Sequence, residues 1–483
     1  MKWSDRQLAI FDAYENTRKN IAIEATAGSS KTTCIVECCR RTPPNKKVLF
    51  MAFNKSIAEE LRERLPSHID VNTFHSKGLR VLLSNFRIKP KINENKCFVI
   101  GKKILETKDM DVKQQIRYLF EIQIIWNYIR VNLITDYEKE IPGICIEKNI
   151  EFQERMVGDM EQIRNAWHKE MKKINSIKEI NIDFTDMLYF PYQLLDSEDF
   201  PKYDVVVTDE SQDFSTIQKE LSMRYIKKSG RFVTVGDSRQ CIYGFQGSSL
   251  EVFKSLQSYP NTIVLPLDIT YRCGKNIVEE ARKVFDNGIV AAPNAIDGVV
   301  RKGEFDEAEN GDFILCRNNL PLATVFLYLL EMEKKATIKG KEYGDALVAL
   351  VDKIKYIEDL DAMCEKKISE LKERGLTDIQ AKNNPSYVAF LEKCTILKIL
   401  YKNWGDMKKL EDNIKEIYKD DTEGIVLSTI HKSKGLEADR VFLLNRSLIP
   451  SKYANTEEAL YNEKCLLFVA ITRARKELVY CNV

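Results

Sequence analysis

The sequence predicts an α/β fold, and three stretches carry that expectation. I-A-I-E-A-T-A-G-S-S-K-T-T-C (Ile21–Cys34) has a short apolar run, a small-residue loop, then Lys31 and Thr32 opening an apolar-periodic helix. K-V-L-F-M-A-F-N-K-S-I-A-E-E-L repeats the layout, with a strand at Val48–Ala52 and a helix from near Ser56. Y-D-V-V-V-T-D-E-S-Q-D-F reads as a fully buried strand of Val205, Val206 and Val207 ending in Asp209 and Glu210. At 483 residues the chain exceeds a single core, so two to four domains are expected.

Composition narrows the classes. Apolar residues make up 44% and charged residues 30%, ordinary for a globular protein. The formal net charge of +2 supplies no global basic field, so a nucleic-acid partner requires a local groove. No apolar run approaches the ~20 residues of a membrane span, and the opening M-K-W-S-D-R-Q lacks a signal-peptide core. The twelve cysteines include no C-x-x-C pair; Cys34, Cys38 and Cys39 read as small buried hydrophobes on one helix. The expected compartment is reducing and intracellular: cytoplasmic, or nuclear in a eukaryote.

In chain order, Trp3–Tyr14 reads as a helix carrying Gln7, whose amide could grip both edge atoms of adenine. The loop Ala27, Gly28, Ser29 and Ser30, with Lys31, Thr32 and Thr33, is a candidate phosphate cradle. Backbone N–H groups and the positive helix end point at the anion. Lys31 would reach the β/γ-phosphates, and the Thr32 hydroxyl would ligate Mg²⁺. Ala25 and Ser30 stand where the G-x-x-x-x-G-K-[ST] pattern has glycine. Two strand-to-helix turns, A-F-N-K and T-F-H-S, offer Phe53, Asn54, Lys55, Thr73, Phe74 and His75 as a platform for single-stranded nucleic acid.

From about Leu79 to Ile182 the pattern is long, helical and charge-laced, anchored by Trp126 and Trp167, and its charge runs read as solvated faces. Asp209 can then hold Mg²⁺ through water and Glu210 can polarise an attacking water. R-F-V-T-V-G-D-S-R-Q-C-I-Y-G-F places Gln240 to sense a γ-phosphate and Tyr243 and Phe245 to stack bases. Tyr271 and Arg272 follow at a helix entry.

Taken with F-I-L-C-R-N-N (Phe313–Asn319), I-V-L-S-T-I-H-K-S-K-G-L-E-A-D-R-V-F (Ile425–Phe442) and F-V-A-I-T-R-A-R (Phe468–Arg475), the ordered set resembles a UvrD/Rep-type superfamily 1 DNA helicase. The likeness is to the short forms of the F-box-helicase-like or phage-like branch. I-D-F-T-D-M (Ile182–Met187) echoes a further family signature.

The resemblance implies an α/β architecture of two RecA-like parallel-sheet motor domains with mainly helical insertions. The expected boundaries are 1–90 and 180–262 for the first motor domain, with a helical insertion at 91–179. The second motor domain is expected at 263–345 and 421–483, with a short helical insertion at 346–420. It also implies ATP and Mg²⁺ as cofactors and Arg272 and Arg473 as arginine fingers. Glu437 is placed near the ribose, Tyr271 on adenine and His431 on nucleic acid.

The implied activity is an ATP-dependent, 3′-to-5′ single-stranded DNA translocase and helicase. Alternatives are a translocase that strips bound proteins without unwinding, and a catalytically weakened DNA-binding scaffold. Expected partners are single-stranded DNA and single-strand/duplex junctions, with RNA open, no membrane, and a monomeric chain. Gln246 and Phe245 stand where the family commonly has Arg and Trp.

Overall fold

The computed structural model describes residues 3–52, 54–105, 110–148, 150–242, 250–286, 288–373, 376–419 and 423–483. The chain divides into two compact units: 1–26 with 30–268, and 27–29 with 269–483.

The first unit is built on a six-stranded sheet in which every neighbouring pair is parallel. Its order is Ile69–Thr73, Val48–Ala52, Tyr203–Thr208, Ile226–Gly236, Asn20–Ala25, Thr262–Leu267. Successive side chains on a strand point to opposite faces, so a continuous apolar run feeds two cores. Leu49, Met51 and Val206 enter one core, and Val48, Phe50, Ala52, Val205 and Val207 enter the other. A parallel ladder also brings every strand's carboxyl end to one edge, where ligands bind in open α/β sheets. The segments that follow Ala25, Thr73, Thr208 and Gly236 bear motifs of the sequence.

Among the described residues, four helices stand between the parallel pair Lys89–Ile92 and Glu179–Ile182: Lys96–Ile104, Val112–Asn132, Tyr137–Glu147 and Arg155–Lys172. Trp126 and Trp167 are fully buried there and meet edge-on, with ring centroids 5.5 Å apart.

One expectation is corrected here, because part of this segment's charge is internal rather than solvated. The Arg130 guanidinium, wholly buried, donates to Asp183 (2.6 and 2.9 Å) and Asp186 (2.6 Å). Lys96, also buried, pairs with Asp186 at 2.7 Å and Glu170 at 3.0 Å. Buried charges persist when paired and hydrogen-bonded. The helix periodicity does not reveal which carboxylate, dozens of residues away, supplies the pairing.

The second unit carries a seven-stranded sheet, likewise parallel throughout. Its order is Val299–Lys302, Ala474–Cys481, Ala438–Leu444, Phe313–Cys316, Ile425–Thr429, Ala336–Lys339, Tyr418–Lys419. Among the described residues, five helices between Lys341 and Ile417 stand between its last two strands, sharing one apolar core with the sheet. All twelve cysteines are free and buried. Among the described residues no helix is long and apolar enough to cross a membrane.

Candidate nucleotide and nucleic-acid site

In the first unit the strand Asn20–Ala25 runs into the loop, and the helix Lys31–Arg40 starts directly after Ser30. Ser30 adopts φ 62°, ψ 40°, the left-handed conformation that glycine reaches without cost. Ala27 and Ser29 are buried, and Thr33 lies in the first turn of the helix.

The helix start meets the end of the strand Tyr203–Thr208. Thr32 Oγ1 donates to Asp209 Oδ2 at 2.8 Å, and Lys31 Nζ lies 3.3 and 3.4 Å from the two Glu210 carboxylate oxygens. Glu210 sits at φ 52° and also accepts from Gln212 Nε2 at 2.6 Å. Burial first, and the Glu210 charge second, push the Asp209 carboxyl up to about 6, against the pull of Lys31 and Thr32. Gln240 is buried in the turn after the strand Ile226–Gly236, its Nε2 donating to Asp237 Oδ2 at 2.7 Å. Gln7 is buried at the first turn of the helix Asp5–Asn16. Its Oε1 accepts from Ser4 N at 3.0 Å, closing a capping box, so part of the amide serves the helix start.

A second cluster forms within the second unit, which includes Ala27–Ser29. Gly28 O accepts from Tyr271 N at 2.9 Å. Gly28 holds φ +68°, and a Cβ there would lie 2.4 Å from Arg272 Cβ. Arg272 Nε donates to Glu437 Oε2, and its Nη1 donates to Thr472 O at 3.3 Å. Glu437 is thus held against Arg272. The next residue, Arg473, is buried, its guanidinium donating to Val469 O (3.1 Å) and Leu436 O (3.0 Å). Tyr271 keeps a half-exposed ring.

The nucleic-acid candidates fare unequally. Asn54 and Thr73 cap helices, accepting from Ile57 N at 2.9 Å and Ser76 N at 3.3 Å. Lys55 is exposed, within 3.7 Å of Glu59. Phe74 is corrected as a stacking platform: it is buried edge-to-face on Phe214, centroids 4.9 Å apart, because the first turn of its helix faces the core. Burial lowers the pKa of His75, whose ring meets Phe184 edge-on at 6.5 Å. Phe184 carries no role in the sequence reading. It is half exposed although Asp183 and Asp186, flanking it in I-D-F-T-D-M, are buried. Burial first, and Arg317 second, push His431 down to about 4. Phe53, Tyr243, Phe245 and Gln246 lie outside the described residues.

A parallel sheet whose first strand enters a small-residue loop and a Lys-Thr helix start, beside an Asp-Glu strand end, defines a phosphate-loop nucleotide-binding protein. The UvrD/REP helicase N-terminal domain matches residues 6–260, and the UvrD-like helicase C-terminal domain matches residues 330–482. The chain belongs to the UvrD/REP helicase family.

Among its relatives is F-box DNA helicase protein 1 of Schizosaccharomyces pombe, 24% identical over 99% of this chain and 57% of the relative. The chain thus spans little more than half the length of that protein. ATP-dependent DNA helicase Rep of Buchnera aphidicola from Acyrthosiphon pisum is 22% identical over 97% of this chain and 94% of the relative. ATP-dependent DNA helicase PcrA of Bacillus subtilis is 26% identical over 57% of this chain and 39% of the relative.

Proposed function

We propose that the protein is an ATP-dependent single-stranded DNA translocase and helicase moving 3′ to 5′. The observation that carries this reading is the junction of Lys31 and Thr32 with Glu210 and Asp209, at 3.3 and 2.8 Å. Lys31 and the loop amides bind the phosphates, Glu210 orients the attacking water, and Gln240 senses the γ-phosphate. Two adjacent carboxylates faced by one lysine leave excess negative charge, and this fits a divalent cation held by Thr32 and Asp209. Mg²⁺ held there would supply charge neutralisation on the phosphate oxygens.

The family resemblance supplies the remaining roles: Arg272 and Arg473 as transition-state charges, Tyr271 as the adenine-stacking ring and Glu437 beside the ribose. Asn54, Lys55, Thr73, His75 and His431 follow the DNA strand. The motor domains take the boundaries 1–90 with 180–262, and 263–345 with 421–483. The 3′-to-5′ direction rests on the family alone.

ATP turnover measured with and without single-stranded oligonucleotides tests the reading. DNA should stimulate turnover, Lys31→Ala should abolish it, and Arg473→Ala should lose ~10³–10⁵-fold while keeping nucleotide binding. Unchanged turnover in Lys31→Ala refutes the site. Strand separation on tailed duplexes, set against displacement of a bound protein, distinguishes a helicase from a protein-stripping translocase. DNA binding with neither activity identifies a scaffold, the outcome that the strained Ser30 would favour.

A further inference from the structure

The turn that carries Gln240 is tied down by side chains from two other segments of the first unit. It follows the strand Ile226–Gly236, which pairs in parallel with Asn20–Ala25 and sets Gly236 opposite Glu24. Gln240 Nε2 donates to Asp237, and Asp237 N donates to Gln212 Oε1 at 2.9 Å. Gln212 Nε2 in turn reaches Glu210 at 2.6 Å, so one tether joins the turn to the water-orienting carboxylate.

The second tether comes from the end of the strand that feeds the phosphate loop. Glu24 Oε1 accepts from Ser238 N at 3.1 Å and from Ser238 Oγ at 2.7 Å. Its Oε2 accepts from Gln257 Nε2, at the end of the helix Leu250–Gln257. The next strand residue, Ala25, offers its carbonyl to Arg239 Nη2 at 2.6 Å, while Arg239 Nε donates to Asp237 Oδ1 at 3.0 Å. Consecutive residues of the strand thus brace consecutive residues of the turn. Burial raises the pKa of the Glu24 carboxyl, a cost that an apolar side chain at this strand position would avoid. What the carboxylate contributes is a fixed turn.

On the reading of Gln240 as the γ-phosphate sensor, we propose that Glu24 is a positioning residue that sets the sensor turn, through Ser238, for a nucleoside triphosphate over a diphosphate. Glu24 acts through Gln240 rather than on the nucleotide, because its two oxygens are engaged by Ser238 and Gln257. The strand that carries Glu24 runs on into the loop before Lys31, so the brace fixes the sensor relative to the phosphate cradle. A misplacement of about 1 Å in such a site costs on the order of 10²-fold in rate. The phosphates common to ATP and ADP are left to the loop amides and Lys31, so losing the brace weakens γ-phosphate recognition and spares the rest.

The test uses the full chain with Mg²⁺ and follows displacement of a fluorescent ADP by unlabelled ADP or by a non-hydrolysable ATP analogue. The readout is the ratio of the two affinities. Wild type should prefer the analogue, and Gln240→Ala should lose most of that preference. Glu24→Ala should lower the ratio about tenfold while ADP affinity stays within about twofold. Glu24→Gln, which keeps an oxygen for Ser238, should stay near wild type. Glu24→Ala combined with Gln240→Ala should fall no further than Gln240→Ala alone, because the two act in series. If Glu24→Ala melts below wild type, Ser238→Ala, which removes the 2.7 Å bond, carries the reading and should shift the ratio the same way. An unchanged ratio in the natively folded variant, equal loss of both nucleotides, or additive losses in the double variant overturns the proposal. No preference in wild type, or an unaltered one in Gln240→Ala, removes the sensor and this inference with it. The expected ratios without DNA-stimulated turnover would instead overturn the helicase reading and leave the brace standing.

Discussion

Gly28 and Ser30 both hold positive φ, +68° and +62°, but their surroundings differ. Beside Gly28 a Cβ would also lie 2.7 Å from the Thr270 hydroxyl, so both the dihedral and the space demand glycine. Gly28→Ala should therefore abolish nucleotide binding, measured by titration of a labelled ATP analogue, while far-ultraviolet circular dichroism stays native. Ser30 already bears the left-handed cost of about 1–2 kcal/mol. Ser30→Gly should retain or tighten nucleotide binding in the same titration; a tenfold loss would show that the Ser30 side chain does more than tolerate the loop.

His431 has a folded-state pKa of about 4 against the ordinary 6.5. The folded chain thus holds fewer protons at this site between those values, and its stabilising contribution is complete above pH 6.5 and lost as pH falls through about 4. His431→Gln should flatten the decline of melting temperature between pH 6.5 and 4, and an unchanged slope would assign that decline to other groups.

At the scale of elements, the helical insertion of the first unit is organised by charge as well as by apolar packing. Arg130 from one helix, Lys96 from another, and Asp183 and Asp186 beyond the insertion meet in one buried cluster, with Trp167 Nε1 donating to Asp186 at 2.7 Å. Removing one partner strands the others in low dielectric. Arg130→Met should cost about 3–5 kcal/mol in urea unfolding, and adding Asp183→Asn and Asp186→Asn should recover a substantial part of it. No recovery would mean that Arg130 acts through packing on Trp126 and Trp167, over whose rings it also lies, at 5.6 and 5.0 Å. The helices themselves were legible, since a 3.6-residue apolar period and the two tryptophans survive in any reading of the segment. The pairing was not, because Arg130 and Asp183 are 53 residues apart and nothing local to either names the other.

At the scale of the whole molecule, each unit has a parallel sheet and a core of its own. Separate cores license separate cooperative transitions. Calorimetry should resolve two, and an ATP analogue with Mg²⁺ should raise the transition of the unit carrying Lys31, Thr32, Asp209 and Glu210 by mass action. In Lys31→Ala that shift should vanish. A single transition moved as one by nucleotide would instead show the two units unfolding as one body.

The sequence by itself determined the α/β class, the strand-loop-helix segments and the family, because each rests on neighbours along the chain: an apolar run, a small-residue loop, a Lys-Thr helix start. Tertiary structure alone decided which side chains meet. Arg272 reaches Glu437 across 165 residues, Phe74 turns into the core against Phe214, and Trp126 meets Trp167 inside the first unit. Local periodicity says that a face is apolar. Only the packing of distant segments decides whether that face is covered, and by what.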